Sequence, residues 1–330
     1  MIDPQRVLRA DLHVHTRHSR VNNDLAFLHS RDCYSRPSDV YRVAKARGMD
    51  LVAITDHDSI DGCLELLDAR PDAPDVIVGE EISCRMPRGN IEVHLAAYGM
   101  TESLHRDLQP LRANVFEVIA RLREANVFFA LNHLLHFYRG QVPLADYLRL
   151  LDEVPAIEAR NGTMLRAHNE LLEHLVTAEG GPLSAQQPAR RLAVVAGSDA
   201  HTLRRIGRTW TEAPGASRDE YLASVAAGSG RPCGAHGSAA TVARDAYGVI
   251  TSFAASLVGV GPADHAPLHR ALCLAFVVLS LPFEFLPVVV AGAGKRQERR
   301  YVREAAAMLP GWLARQRGAS ENGITAGERA

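Results

Sequence analysis

Seven short apolar runs lie between residues 7 and 235, and nearly all of them end in histidine or a carboxylate. Val7–Leu12 leads into His13-Val14-His15, Leu51–Ile54 into Thr55-Asp56-His57-Asp58, and Val76–Val78 into Gly79-Glu80-Glu81. Glu92–Ala97 contains His94, and Val127–Leu131 runs into Asn132-His133. Ala156–Glu158 is followed by Ala159-Arg160-Asn161-Gly162, and Leu192–Ala196 by Gly197-Ser198-Asp199-Ala200-His201. Between these runs, Pro37–Arg47, Ser103–Glu124, Leu144–Glu153 and Met164–Thr177 repeat apolar residues near a period of 3.6, the mark of amphipathic helices. Strands alternating with helices imply a mainly parallel sheet. Chemistry in such folds gathers at the carboxyl ends of the strands, most clearly when the sheet closes into a barrel. Seven strands favour closure over an open sheet.

The polar tips have the chemistry of a metal centre. Side chains of an extended chain alternate, so His13 and His15 fall on one side, as do Asp199 and His201. The 15 histidines stand out in a chain of 330 residues. The donors are nitrogen and oxygen without thiolate, which suits Zn²⁺, Mn²⁺ or Fe²⁺ and argues against an iron–sulfur cluster. There are more of them than one ion needs, so two or three divalent ions are expected. None of the five cysteines forms a CxxC pair, which speaks against a disulfide framework and for a reducing cytoplasm. The N-terminal stretch has no apolar region of the secretory type. A formal charge of -1 provides no field to draw the chain onto bulk nucleic acid.

Taken in order, DLHVHT, ITDHDSIDG, GEEIS, EVHLAAYG, NH and GSDAH resemble the polymerase-and-histidinol-phosphatase (PHP) superfamily, over about residues 8–205. The resemblance implies an α/β fold, a distorted (β/α)7 barrel, with a trinuclear metal cleft at the strand ends and phosphoester hydrolysis as the usual activity. Matched motif by motif, it implies one ion on His13, His15, Glu81 and Asp199, and a second on Glu81, His94 and His133. A third would lie on His57, His201 and one further ligand. Glu81 fits the family's glutamate better than Glu80, which would point to the opposite face. Many relatives carry Ser-Asp-Gly soon after the HxH, and this chain does not. Asp32, five residues before Pro37, takes that place after a loop insertion, with His18 and Asp24 as competitors.

The chemistry expected of such a centre is attack by metal-activated hydroxide, since a bound ion lowers the pKa of water from about 15.7 to about 7. The expected catalytic side chains are His57 at the ions, His136 as proton donor to the leaving group, and Arg160 as a fork for phosphate. Arg204 and Arg205 are alternatives to Arg160. Asp56 and Asp58 are candidates to orient imidazoles. A nucleotide or sugar phosphate is the expected substrate class. The alternatives are a nuclease trimming nucleic-acid ends, and a metal-bearing, non-catalytic binding or regulatory domain at a membrane.

The strand-end pattern stops near residue 235, so the barrel is assigned to 1–235 and a mainly helical extension to 236–330. Within the extension, Ala271–Gly294 carries one charge, Glu284, and is interrupted by Pro282 and Pro287. It is long enough to cross a bilayer core, which needs ~20 residues, and Lys295, Arg296, Arg299, Arg300 and Arg303 follow it. Packing on the barrel, burial in a dimer and association with a membrane surface through 249–303 all suit this composition. The expected location is cytoplasmic, with membrane association as the variant.

Overall fold

The computed structural model describes residues 6–20, 26–89, 91–134, 144–177, 192–260 and 265–327. Strand β1 (Val7–Asp11) is followed by helix α1 (Pro37–Ala46), β2 (Leu51–Ile54), α2 (Asp61–Ala69), β3 (Val76–Arg85) and β4 (Glu92–Tyr98). Then come α3 (Glu102–Leu108), α4 (Val115–Glu124), β5 (Phe128–Leu131), α5 (Leu144–Glu153), β6 (Ala156–Asn161), α6 (Arg166–Thr177) and β7 (Ala193–Gly197). The chain continues through β8 (Thr209–Pro214), α7 (Arg218–Ser224), β9 (Arg231–Gly234), α8 (Ala239–Leu257), α9 (Pro267–Ser280) and α10 (Leu286–Gly327). The local signals are ordinary ones. α1 opens on Pro37, whose missing N–H is needed by no helical bond there. It closes on Gly48 at φ 79, where Met49 N–H donates to Ala44 O.

The sheet runs β7-β6-β5-β4-β3-β2-β1-β8-β9. β1, β2 and β3 are parallel, as are β5, β6 and β7, but β4 is antiparallel to both of its neighbours. A mainly parallel barrel was expected; instead β4, β8 and β9 are antiparallel to every neighbour, and four of the eight strand pairings among the described residues are antiparallel. The sheet curls until the tips of β1 and β7 meet. Val14 bridges Ala200, and Asp199 N–H donates to His13 O at 2.8 Å. A Cβ on Gly197 would lie 2.2 Å from His13 Cβ, so only glycine allows this approach. β8 covers the seam from the other side of β1, where Thr211 Oγ1 bonds both Ala196 N and Ala196 O. The result is a nearly closed, barrel-like sheet in a mixed α/β fold with C-terminal helices.

Alternation along the strands sorts the core into two layers. Ala10, Ala53, Ala96, Ala130, Ala156 and Ala193 line the narrow interior with Leu8, Leu12, Ile77 and Tyr98. Their neighbours Val52, Ile54 and Val76 face outward onto α1 and α2. Each large aliphatic side chain buried in this way contributes ~1.5–3 kcal/mol.

The C-terminal helices are joined to the same core. Val302 and Ala305 of α10 pack with the outward residues of β5, β6 and α6. Glu298 of α10 reaches the start of α6. Its Oε1 accepts Leu165 N–H at 2.7 Å and His168 Nδ1–H at 3.0 Å, and its Oε2 accepts Lys295 Nζ at 2.6 Å. Ala271–Gly294 is not one helix. α9 ends at Ser280, a 3-10 turn holds Leu281–Phe283, and the axes on either side differ by 66°. Pro282 has no N–H to continue the helix, which accounts for the break. Among the described residues no single helix is long and apolar enough to cross a membrane. Leu279, Leu281, Phe283, Phe285 and Val290 at this bend are exposed.

Candidate metal centre

Seven of the expected ligands arrive at the rim from different strands. His13 and His15 follow β1, His57 follows β2, Glu81 lies in β3, His133 follows β5, and Asp199 and His201 follow β7. His94 comes from the reversed strand. It stands near the start of β4, opposite Ser83, so the reversal puts it at the rim where the parallel strands end. His133 and Asp199 have positive φ, 27 and 51, at the points where the chain turns out of the sheet. Left-handed backbone at non-glycine residues is uncommon and clusters at functional sites.

Glu81 is the centre of the arrangement. Oε2 lies 3.0 Å from His13 Nε2, 3.3 Å from His15 Nε2 and 3.3 Å from His57 Nδ1. Oε1 lies 3.1 Å from His94 Nδ1 and 3.1 Å from His133 Nε2, and accepts Asn132 Nδ2–H at 2.8 Å. Asp199 Oδ1 stands 3.7 Å from His13 Nε2 and 3.5 Å from His15 Nε2. Asp32 Oδ2 is 3.6 Å from His201 Nε2. Four overlapping sets have ligand atoms within 4.8 Å of one another: His13, His15 and Glu81; His13, His133 and Asp199; His57, Glu81 and His94; and His15, Asp32, His57 and His201.

The second nitrogen of several rings is held from behind. His13 Nδ1–H donates to Glu158 Oε1 at 2.9 Å and His94 Nε2–H to Glu92 Oε1 at 3.3 Å, and His15 Nδ1 lies 3.1 Å from Ser19 Oγ. The carboxylate bonds of His13 and His94 fix the tautomer that turns a lone pair to the centre, and Ser19 holds the ring of His15 in place, as metal-binding histidines require. Burial opposes the charge on Glu81, but its neighbours, His13 first among them, hold it well below the usual carboxylate range. Asp32 is likewise brought down to about 2, burial being outweighed by His201. Burial drops His57 to about 3, keeping it neutral with one ring nitrogen free to give its lone pair. His15 Nε2, His57 Nδ1 and Asp32 Oδ1 are buried without a hydrogen-bond partner, and all three residues belong to one ligand set. Unsatisfied polar atoms converging from three segments fit a divalent cation with nitrogen and oxygen ligands.

Some expected residues lie elsewhere. Arg160 does not enter the centre. Its guanidinium forms a two-pronged pair with Glu173 of α6, at 2.7 and 3.0 Å, and its Nη1 reaches Gly234 O. A β-bulge between Glu158 and Arg160 is the reason, because it breaks the alternation that would have put both residues on one face. Arg205 is buried against Asp245 and Gly162 O, whereas Arg204 lines an adjoining cleft. His18 is held by Glu65 at 2.6 Å. Asp56 binds Thr16, and Asp58 binds Ser83 N–H and Arg112, so neither orients an imidazole. Glu80 faces α3 and meets His105 at 2.9 Å. His136 and Asp24 lie outside the described residues.

Three contributors were missed by the sequence reading. Glu158 supports His13 and also accepts His133 N–H and Asn161 Nδ2–H; Asn132 bonds Glu81; Asn161 bonds Asp199. The signal for Glu158 was its place at the end of the run Ala156–Glu158, two residues after Ala156 and on the same face.

Comparison with known proteins found a family match, a partial relative and structural neighbours. The sequence model of the PHP-associated family matches residues 189–229, the stretch that holds β7, Asp199 and His201. Over 76 residues the chain is 36% identical to the uncharacterized protein MJ1587 of Methanocaldococcus jannaschii, covering 23% of this chain and 44%, less than half, of that relative. Two solved structures are similar at TM-score 0.46. One is a two-domain protein from Bacteroides vulgatus whose name includes a predicted PHP-like metal-dependent phosphoesterase, with 17% identity over 74% of this chain and 70% of that one. The other is PsfC from Pseudomonas syringae, with 18% identity over 75% and 97%. The family match is confined to residues 189–229, and the Glu81 centre lies for the most part outside it.

Proposed function

We propose that the chain hydrolyses a small phosphoester at two or three divalent ions gathered around Glu81. The observation that carries this reading is one buried carboxylate within 3.3 Å of five imidazole nitrogens. His13, His15, Glu81 and Asp199 would hold one ion, Glu81, His94 and His133 a second, and His57, His201 and Asp32 a third. Bound ions of this kind supply a nucleophile at neutral pH and neutralise the phosphoryl oxygens of an in-line displacement. The chain's own part is positioning. Glu158, Ser19 and Glu92 fix three imidazoles, and burial keeps His57 neutral.

The neighbouring cleft supports the substrate class. A space of about 700 Å³ lies between the barrel rim and α8, with His201 on its border. Arg36, Arg204 and Arg244 line it beside Tyr34 and Tyr247. Clefts of ~300–1,000 Å³ suit small molecules rather than polymers. Guanidinium groups favour an anionic body and the tyrosines a flat one, as in a nucleotide or sugar phosphate.

The test is a phosphatase assay with added Mn²⁺, run beside metal analysis of the full chain and of His13→Ala. Two or three Mn²⁺ ions per wild-type chain, with turnover lost in the variant, is the expected result. Full metal content without turnover of any nucleotide or sugar phosphate would contradict the proposal. A second expected result concerns Asp32. Asp32→Asn keeps the shape but removes the charge facing His201, and should lose one ion per chain and lower kcat by ~10–100-fold. His18→Ala, whose ring is tied to Glu65, should keep the wild-type metal count. Equal metal content in Asp32→Asn and wild type would remove Asp32 from the ligand set.

A further inference from the structure

A second group of histidines stands apart from the barrel centre. His29 follows a 3-10 turn at Ala26–Leu28, and His265 and His269 flank the start of α9. One ligating nitrogen from each lies within 4.8 Å of the other two. The rings of His29 and His269 are 4.4 Å apart, and those of His265 and His269 5.1 Å.

Hydrogen bonding fixes the tautomer at the middle of the group. His269 Nε2 stands 2.9 Å from Phe27 O, a carbonyl that can only accept. Nε2 therefore carries the hydrogen, and Nδ1 of the neutral ring presents a lone pair. That lone pair faces His265 Nδ1 at 3.2 Å. Two nitrogens bound to one tetrahedral zinc at ~2.0–2.1 Å would be ~3.3 Å apart, close to the spacing seen. A backbone carbonyl behind one nitrogen and a shared target in front of the other is also how metal-binding histidines are usually oriented.

We propose that His29, His265 and His269 form a separate transition-metal site, with Zn²⁺ as its ion. Three imidazoles without a carboxylate favour zinc over magnesium or manganese, which prefer oxygen. Three protein ligands leave a fourth position open. The site joins the Phe27–His29 segment to the first turn of α9, clamping the C-terminal helices to the loop that goes on to Asp32. It depends on no assumption about the reaction at the barrel.

The experiment is equilibrium dialysis of the full chain against Zn²⁺ alone, with zinc per chain measured for wild type, His29→Ala, His269→Ala and Glu81→Gln. Both histidine variants should bind one zinc fewer than wild type, and Glu81→Gln should retain that zinc. His29 is exposed, so its variant decides the question if His269→Ala folds poorly. Equal zinc in wild type and His29→Ala, or no zinc on folded Glu81→Gln, would overturn the proposal.

Discussion

Replacing Glu81 by Gln is expected to strip the barrel centre of its ions and lower kcat/KM by at least ~10²-fold. Loss of a residue that merely supports a metal ligand costs ~10–100-fold in affinity or activity, and Glu81 stands inside that layer. Its two oxygens divide the imidazoles, with His13, His15 and His57 around Oε2 and His94 and His133 around Oε1. An amide keeps the volume but loses the charge and turns one oxygen into a donor. That donor would face nitrogens already oriented to give lone pairs. The measurement is metal content per chain together with steady-state kinetics in Mn²⁺. Wild-type metal content and turnover in Glu81→Gln would remove Glu81 from its central role.

The largest expected loss of stability is at Glu298. Glu298→Ala should cost ~3–5 kcal/mol at pH 7, because it removes one partner from a buried ionic group. Lys295, 7% exposed, would lose its carboxylate, and Leu165 N–H and His168 Nδ1–H would lose their acceptor. Glu298→Gln keeps an acceptor for the two N–H groups and should cost less. Burial would raise the Glu298 pKa, but the His168 hydrogen bond and the Lys295 charge bring it down to about 2. Since the folded value lies below the unfolded one, the stabilisation is complete above about pH 5 and fades as pH falls towards 2. Urea unfolding of the three proteins at pH 7 and pH 3 measures both effects. Equal stabilities at pH 7 would show that the anchor contributes nothing.

Much of the centre was legible in the sequence because its ligands come in local patterns. HxH, DHD and DAH each place donors at the end of an apolar run, and the period of two shows which residues share a side. Direction was not legible: Glu92–Tyr98 reads the same as a parallel or an antiparallel strand, and only the assembled sheet shows β4 reversed. The fate of Arg160 was hidden for a related reason. A single bulge residue exchanges faces, and nothing in Glu-Ala-Arg-Asn announces the bulge. Contacts between distant segments were the least visible. Glu298 meets Leu165 across 133 residues, and His269 meets Phe27 across 242, with no local pattern to link them. The break in Ala271–Gly294 was readable from Pro282, but the exposure of the apolar residues around it was not.

The sharing of ligands among the four barrel sets has a consequence for how the centre loads. His13, His15, His57 and Glu81 each belong to two sets. An imidazole nitrogen has one lone pair and can serve one ion, whereas the two oxygens of Glu81 can serve two. On the proposed reading, ions entering the rim would compete for the same donors. The first to arrive decides which combinations remain for the next, so a half-filled centre is a different arrangement from a full one with ions missing.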